Sequence, residues 1–286
     1  MKEFRELAIR AVKEAGNILR ENLGRIKRID YKGKVSLVTD IDRMAEQVIL
    51  SIIKEKYPSH DILTEERRIE ERGSRYKWII DPLDGTTNYV HKYPRYCVSI
   101  ALEEDSEVIL GVVYDPVPDE LFLAEKGRGA TLNGRRISVS KINKLDKSLL
   151  ATGFPYDRRE RADEYLKIYR EFMVNSQGIR RDGAAALNLC YIANGRFDGF
   201  WEEQLVPWDV AAGSLIVAEA GGSVTDFNGN KLDIYEKEIL ASNGKIHLEM
   251  QEILGKITKR SPQKPKKKEA FRFAQEPCFF RQKLKK

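Results

Sequence analysis

Apolar residues recur at helical spacing at the start of the chain and in short strand-like runs soon after. Leu7, Ala8, Ala11, Ala15, Ile18 and Leu19 share one helical face, predicting an opening amphipathic helix that stops near Gly24. Ala45, Val48, Ile49, Ile52 and Ile53 predict a second helix from about Asp42 to Lys56, capped by Thr39 or Asp40 and ended by Pro58. Strands are predicted at Ile62–Thr64, Tyr76–Ile80, Tyr96–Leu102, Val108–Tyr114 and Leu121–Ala124. Asn133-Gly134 marks a hairpin turn between Ala130–Leu132 and Ile137–Val139.

The second half alternates. Strands are predicted at Leu149–Thr152, Gly178–Arg181, Gly199–Glu202, Ser223–Asp226 and Ile239–Ala241. Helices fall between or after them at Asp163–Val174, Ala184–Ala193, Val210–Ala220 and Ile246–Ile257. Mixed helical layers and sheets make the class α+β or α/β. Beyond Arg260 the pattern stops. Ser261-Pro262-Gln263-Lys264-Pro265-Lys266-Lys267-Lys268 reads as a disordered basic linker, and Phe271, Phe273, Phe279 and Phe280 follow without a period.

That tail changes the meaning of the charge. The 286 residues carry a formal +6, but from Lys256 onward twelve Lys and Arg face two Glu. The +10 of the tail leaves about −4 for residues 1–255, so the body is mildly acidic and nucleic-acid binding is expected, if anywhere, of the tail. No apolar run approaches the ~18 residues a membrane span needs. No signal-peptide block opens the chain, and Cys97, Cys190 and Cys278 are odd in number and widely spaced; a reduced cytoplasm is the expected setting.

Histidine and nucleotide chemistry find little support. His60, His91 and His247 are scattered and read as surface or loop residues rather than metal ligands. No Gly-x-x-x-x-Gly-Lys-Ser/Thr loop is present, and Gly127-Arg128-Gly129 fits turn geometry better than phosphate cradling. Carboxylates remain. Trp78-Ile79-Ile80 delivers Asp81 and Asp84 into Pro82-Leu83-Asp84-Gly85-Thr86-Thr87-Asn88, an oxygen-only set suited to a hard cation such as Mg²⁺. The same acids also suit an ordinary turn that caps a helix. Upstream, Asp61-Ile62-Leu63-Thr64-Glu65-Glu66 ends a strand on adjacent acids. Downstream, Pro207-Trp208-Asp209 opens a small-residue helix, where Asp209 alone would be an ordinary N-cap.

Together, in this order, the three segments resemble the inositol monophosphatase family of Mg²⁺-dependent, Li⁺-sensitive phosphatases, over roughly residues 1–258. The resemblance implies a five-layer αβαβα sandwich of two fused α/β halves meeting near residue 145, followed by the tail at 259–286. It also implies two or three Mg²⁺ ions held by Glu65, Asp81, the Leu83 carbonyl, Asp84 and Asp209, with Glu66 as outer partner. Thr86, Asp42 and Glu65 are the expected catalytic residues: Thr86 orients a metal-activated water while Asp42 accepts its hydroxyl proton. Asp42 also suits a helix's first turn. Substrate contacts are expected from Leu83, Asp84, Gly85 and Thr86 on one side. Arg180, Gly183, Ala184, Ala185, Glu202 and Asp209 are expected on the other, with free N–H groups at the Gly183–Ala185 helix start. Arg67 replaces the small residue common after the Glu pair, a departure from the family pattern.

The expected activity is hydrolysis of inositol 1-phosphate or a related small polyol or sugar phosphate, by a homodimer. Fructose-1,6-bisphosphatase or dual activity, then nucleotide 3′-phosphatase, are the rivals using the same acids. A different class, a module binding nucleic acid or transcription machinery through the tail, would leave four placed acids without a purpose.

Overall fold

The computed structural model describes residues 1–26, 29–32, 36–66 and 70–258; the predicted linker and the Arg67 position lie outside them. The first half runs α1 (Lys2–Asn22), β1 (Ile29–Lys32), β2 (Ser36–Thr39), α2 (Asp40–Lys56), β3 (Asp61–Thr64) and β4 (Tyr76–Asp84). It continues with α3 (Thr86–Val90), β5 (Cys97–Glu104), β6 (Glu107–Asp115), β7 (Glu120–Glu125), β8 (Ala130–Leu132) and β9 (Arg135–Arg136). The second half has β10 (Leu149–Thr152), α4 (Arg158–Asn175), β11 (Gly178–Arg180), α5 (Ala185–Ala193) and β12 (Gly199–Glu203). It closes with α6 (Pro207–Glu219), β13 (Ser223–Thr225), β14 (Glu238–Ser242) and α7 (His247–Thr258).

Strands β3 to β9 form a seven-stranded sheet in chain order, and β11-β10-β12-β14-β13 form a five-stranded one. Both are buried on two faces, because alternate side chains enter different cores. Ile62, Trp78, Ile80, Val98 and Ile100 pack under α1 and α2, while Leu63, Ile79, Ala101 and Val113 face the other way onto α5 and α6. From the second sheet, Ala151, Phe200, Ile239 and Ala241 meet that same central core, and Leu150, Trp201 and Leu240 pack outward beneath α4 and α7. The result is a five-layer αβαβα sandwich. Helix α6 lies between two sheets, which is why Val210 through Val217 are buried on every side.

Several boundaries differ from the sequence expectation for local reasons. Helix α2 starts at Asp40 because Thr39 and Asp42 form a reciprocal capping box. The strand expected at Ile137–Val139 is instead Arg135–Arg136: Asn133 and Gly134 both have positive φ (49° and 78°), so the two-residue turn pairs Leu132 directly with Arg135. Helix α4 begins at Arg158, five residues before the expected start, and bends at Arg161. His60 and His247 are buried, contrary to the surface reading. His60 stacks between Tyr57 and Tyr76 at 4.7 and 4.9 Å, and the Trp78 indole N–H donates to its Nδ1 at 3.2 Å. His247 lies between Ser242 and Thr225 hydroxyls at 2.9 and 3.0 Å.

Candidate active site

Asp81 and Asp84 are placed by an irregularity at the end of β4. Asp81 pairs with Ser99 and Asp84 with Cys97, so β4 has one residue more than its partner over this stretch. Pro82 has no N–H for the ladder, and a bulge accommodates it. The Leu83 N–H then bonds Asp81 Oδ1 at 3.0 Å. Glu65 follows the parallel β3, and its N–H donates to the Ile80 carbonyl, which sets it beside Asp81. Asp209 enters from α6, at the third helical position rather than the cap; its Oδ2 accepts the Val206 N–H at 3.0 Å.

Asp81, Asp84 and Asp209 each feel the negative charges gathered here. Burial pushes Asp81 well above the ordinary carboxylate range, and the charges of Glu65, Asp84 and Asp209 push it further. Asp209 is raised by burial and then by Asp84, and Asp84 is pushed up to about 7, chiefly by burial. Among the described residues no three of them already close into a ligand cage. The donor set nonetheless fits a hard cation: carboxylates and a carbonyl, with like charges gathered where only positive charge would relieve them.

Thr86 opens α3 after Gly85, whose φ of 92° is open to glycine and whose absent Cβ would stand 2.8 Å from the Arg95 carbonyl oxygen. The Thr86 hydroxyl lies 3.1 Å from both Asp42 Oδ1 and the Leu83 carbonyl. One proton serves one acceptor at a time, and the carboxylate is the stronger. Asp42 is fully buried; its other oxygen accepts the Thr39 N–H at 2.9 Å. Desolvation raises its pKa, the Glu65 charge adds to this, and the bonds from Thr39 and Thr86 oppose it.

The second half meets this loop at α5. Of the N–H groups expected to be free there, that of Ala185 is engaged: Ala185 and the following Ala186 donate to Asp84 at 3.3 and 2.8 Å. The carboxylate won because it is buried at a helix N-terminus. Gly183 precedes them with φ of 82°, and Ala184 is buried. Glu202, on β12, lies across Gly153, where a Cβ would sit 2.1 Å from either carboxylate oxygen. Burial pushes it up to about 8, opposed by the Arg181 charge. Arg180, expected at the substrate, is exposed on an edge strand and bonds the Ile179 carbonyl at 3.1 Å. Its neighbour Arg181 bears on Glu202 instead, as the chain leaves the strand. Gly127-Arg128-Gly129 holds a carboxylate, not a phosphate: Glu219 accepts from Gly127 and Gly129, each at 2.7 Å.

Two sheets with α5 and α6 packed between them, and carboxylates gathered at the end of β4, make up this layered αβαβα fold. The model described as "Inositol monophosphatase family" matches residues 1–262, and the chain belongs to that family. It is 47% identical over 251 residues to the inositol-1-monophosphatase of Synechocystis, spanning 87% of this chain and 88% of that protein. Over 252 residues it is 43% identical to the Nus factor SuhB of Pseudomonas aeruginosa, covering 86% and 93% of the two chains. The solved inositol monophosphatase from Anabaena superposes with a TM-score of 0.82 at 43% identity, over 90% of this chain and 96% of that one. No described helix is long and apolar enough to cross a membrane.

Proposed function

We propose that this chain is a Mg²⁺-dependent phosphomonoesterase acting on inositol 1-phosphate and similar small polyol or sugar phosphates. The observation that carries the reading is the set of mutually repelling acids Glu65, Asp81, Asp84 and Asp209 beside the Leu83 carbonyl. These residues would hold the ions, and Mg²⁺ bound there supplies neutralisation of phosphoryl charge and acidification of water.

The chain's own residues do the rest. While donating to Asp42, the Thr86 oxygen offers lone pairs that hold an attacking water in line with the leaving oxygen. Asp42, raised by burial, is suited to receive the proton through Thr86 Oγ1. Glu202, flanked by Gly153 and Arg181, faces the region where polyol hydroxyls would bond. Phosphate release from inositol 1-phosphate, fructose 1,6-bisphosphate and adenosine 3′,5′-bisphosphate, with and without chelator, tests the reading. Mg²⁺-restored turnover, fastest on inositol 1-phosphate, is expected; full turnover in chelator, or none on any of the three, would overturn it.

A second reading, association with transcription machinery, is supported by the Nus factor name of the Pseudomonas relative. Binding to RNA or RNA polymerase across a salt series, with the phosphatase assay alongside, separates the two.

A further inference from the structure

Asn88 belongs to the Asp81–Asn88 stretch but has no part in the chemistry above. Its side-chain Nδ2 donates twice, at 2.7 Å each, to the carbonyls of Arg95 and of Asp182, the latter 94 residues away. Two carbonyl acceptors identify this end of the amide as the NH₂, and both of its protons are used. The first bond closes the turn from Asn88 to Arg95, whose carbonyl oxygen stands where a Cβ on Gly85 would come within 2.8 Å of it. The second crosses from the first half to the segment leading into α5.

Four further close approaches line the same seam. Asp84 accepts the Ala185 and Ala186 N–H groups, and a Cβ on Gly85 would lie 3.4 Å from Ala184 Cβ. At Gly183 a Cβ would sit 3.3 Å from both Nδ2 and Oδ1 of Asn88, so glycine lets the backbone close on the amide. The seam joins Asp81 and Asp84, on the first half, to the segment that carries Arg181 on the second, near Glu202. Whatever fixes Asp182–Ala186 against the loop therefore also fixes how far the phosphate end of the site stands from its hydroxyl-recognition end.

We propose that Asn88 is a positioning residue that sets this spacing, and with it the preference for a polyol phosphate over a minimal phosphate ester. The specificity part rests on the phosphatase reading; the positioning part does not. Aspartate at this position would keep the shape but turn lone pairs towards two carbonyls, so the donors rather than the volume are what the site requires.

Hydrogen exchange of the Ala185 and Ala186 amides, followed by NMR in the full chain, tests the positioning directly. In Asn88→Ala both amides should exchange about tenfold faster, the factor expected for losing one to two hydrogen bonds. Amides in the centres of β4 and β5 should keep wild-type rates. On turnover, Asn88→Ala should raise KM for inositol 1-phosphate while changing p-nitrophenyl phosphate hydrolysis far less. Asn88→Asp should match Asn88→Ala, and Asn88→Ser, which reaches at most one carbonyl, gives the comparison if Asn88→Ala does not fold. Unchanged exchange at Ala185 and Ala186, a uniform rise across both sheets, or wild-type behaviour of Asn88→Asp would overturn the proposal. An inactive wild-type chain would overturn the phosphatase reading, and the exchange rates would still decide the role of Asn88.

Discussion

Removing the Thr86 hydroxyl tests whether it and Asp42 act as one unit. Thr86→Ala deletes a donor 3.1 Å from Asp42 Oδ1, within a pocket where Asp42 is fully buried. A hydrogen bond to a charged group is worth roughly 1.5–3 kcal/mol, so the variant should lose stability on that scale while still folding. Asp42→Asn changes the same contact from the other side. Its remaining carbonyl oxygen can still accept the Thr39 N–H, so the α2 cap should survive the substitution. Positioned proton transfer contributes about 10²–10⁴ in rate, and each variant should lose kcat by such a factor with little change in KM. If each lost ~10³, independent residues would lose ~10⁶ together, whereas a coupled pair would lose about 10³ again. Steady-state kinetics on the four members of the cycle, with thermal unfolding of each, decides it. Losses that multiply would refute the pairing, as would a change in KM alone with kcat intact.

Other contacts yield sharper tests of particular links. Asp84→Asn should abolish most turnover and weaken the α5 start, because an amide offers one acceptor where two N–H groups donate; a fully active variant would remove Asp84 from the chemistry. Glu202→Ala should cost roughly 0.5–1.5 kcal/mol on polyol phosphates near pH 7, where a carboxyl pushed up to about 8 is mostly neutral, and far less on p-nitrophenyl phosphate; equal losses would assign Glu202 to the fold. Glu219→Ala releases two N–H groups of the Gly127–Gly129 turn and should lower stability by about 1–3 kcal/mol without changing KM, as thermal unfolding and kinetics can verify. His60 is held below its ordinary pKa by burial, with the Asp61 charge opposing. The folded state therefore disfavours the proton. The stability His60 contributes is complete above the unfolded value of about 6.5 and is lost as pH falls below it. Tm measured downward from pH 8 should drop more steeply in the wild type than in His60→Phe; parallel curves would contradict this.

Much of the architecture was legible because apolar period and turn residues are local properties. Leu149–Thr152 and Ala184–Ala193 could be read nearly to their ends from hydrophobic runs bounded by glycine or polar residues. The acids at 65, 81, 84 and 209 were readable as candidates because each ends a run or opens a helix. Short elements escaped: α3 at Thr86–Val90 is five residues long and has no period to detect. Buried histidines escaped too, since the aromatic stack around His60 draws on residues from α1, β4 and the end of α2.

The sequence by itself determined the mix of helices and sheets, through the periods of its apolar runs, while the five-layer stacking was implied only by the resemblance of its acid segments to a known family. It also marked Glu65, Asp81, Asp84 and Asp209 as candidates for a hard-cation site, since oxygen donors are what such ions favour. Only the tertiary structure decided which groups share that site. It handed Asp84 the α5 N–H groups, set Arg181 rather than Arg180 beside Glu202, and laid Glu202 over Gly153. The first of those choices depends on residues about a hundred positions apart meeting at a seam between two halves, the others on separations of about twenty to fifty within the second half, and no local pattern in the chain encodes those distances.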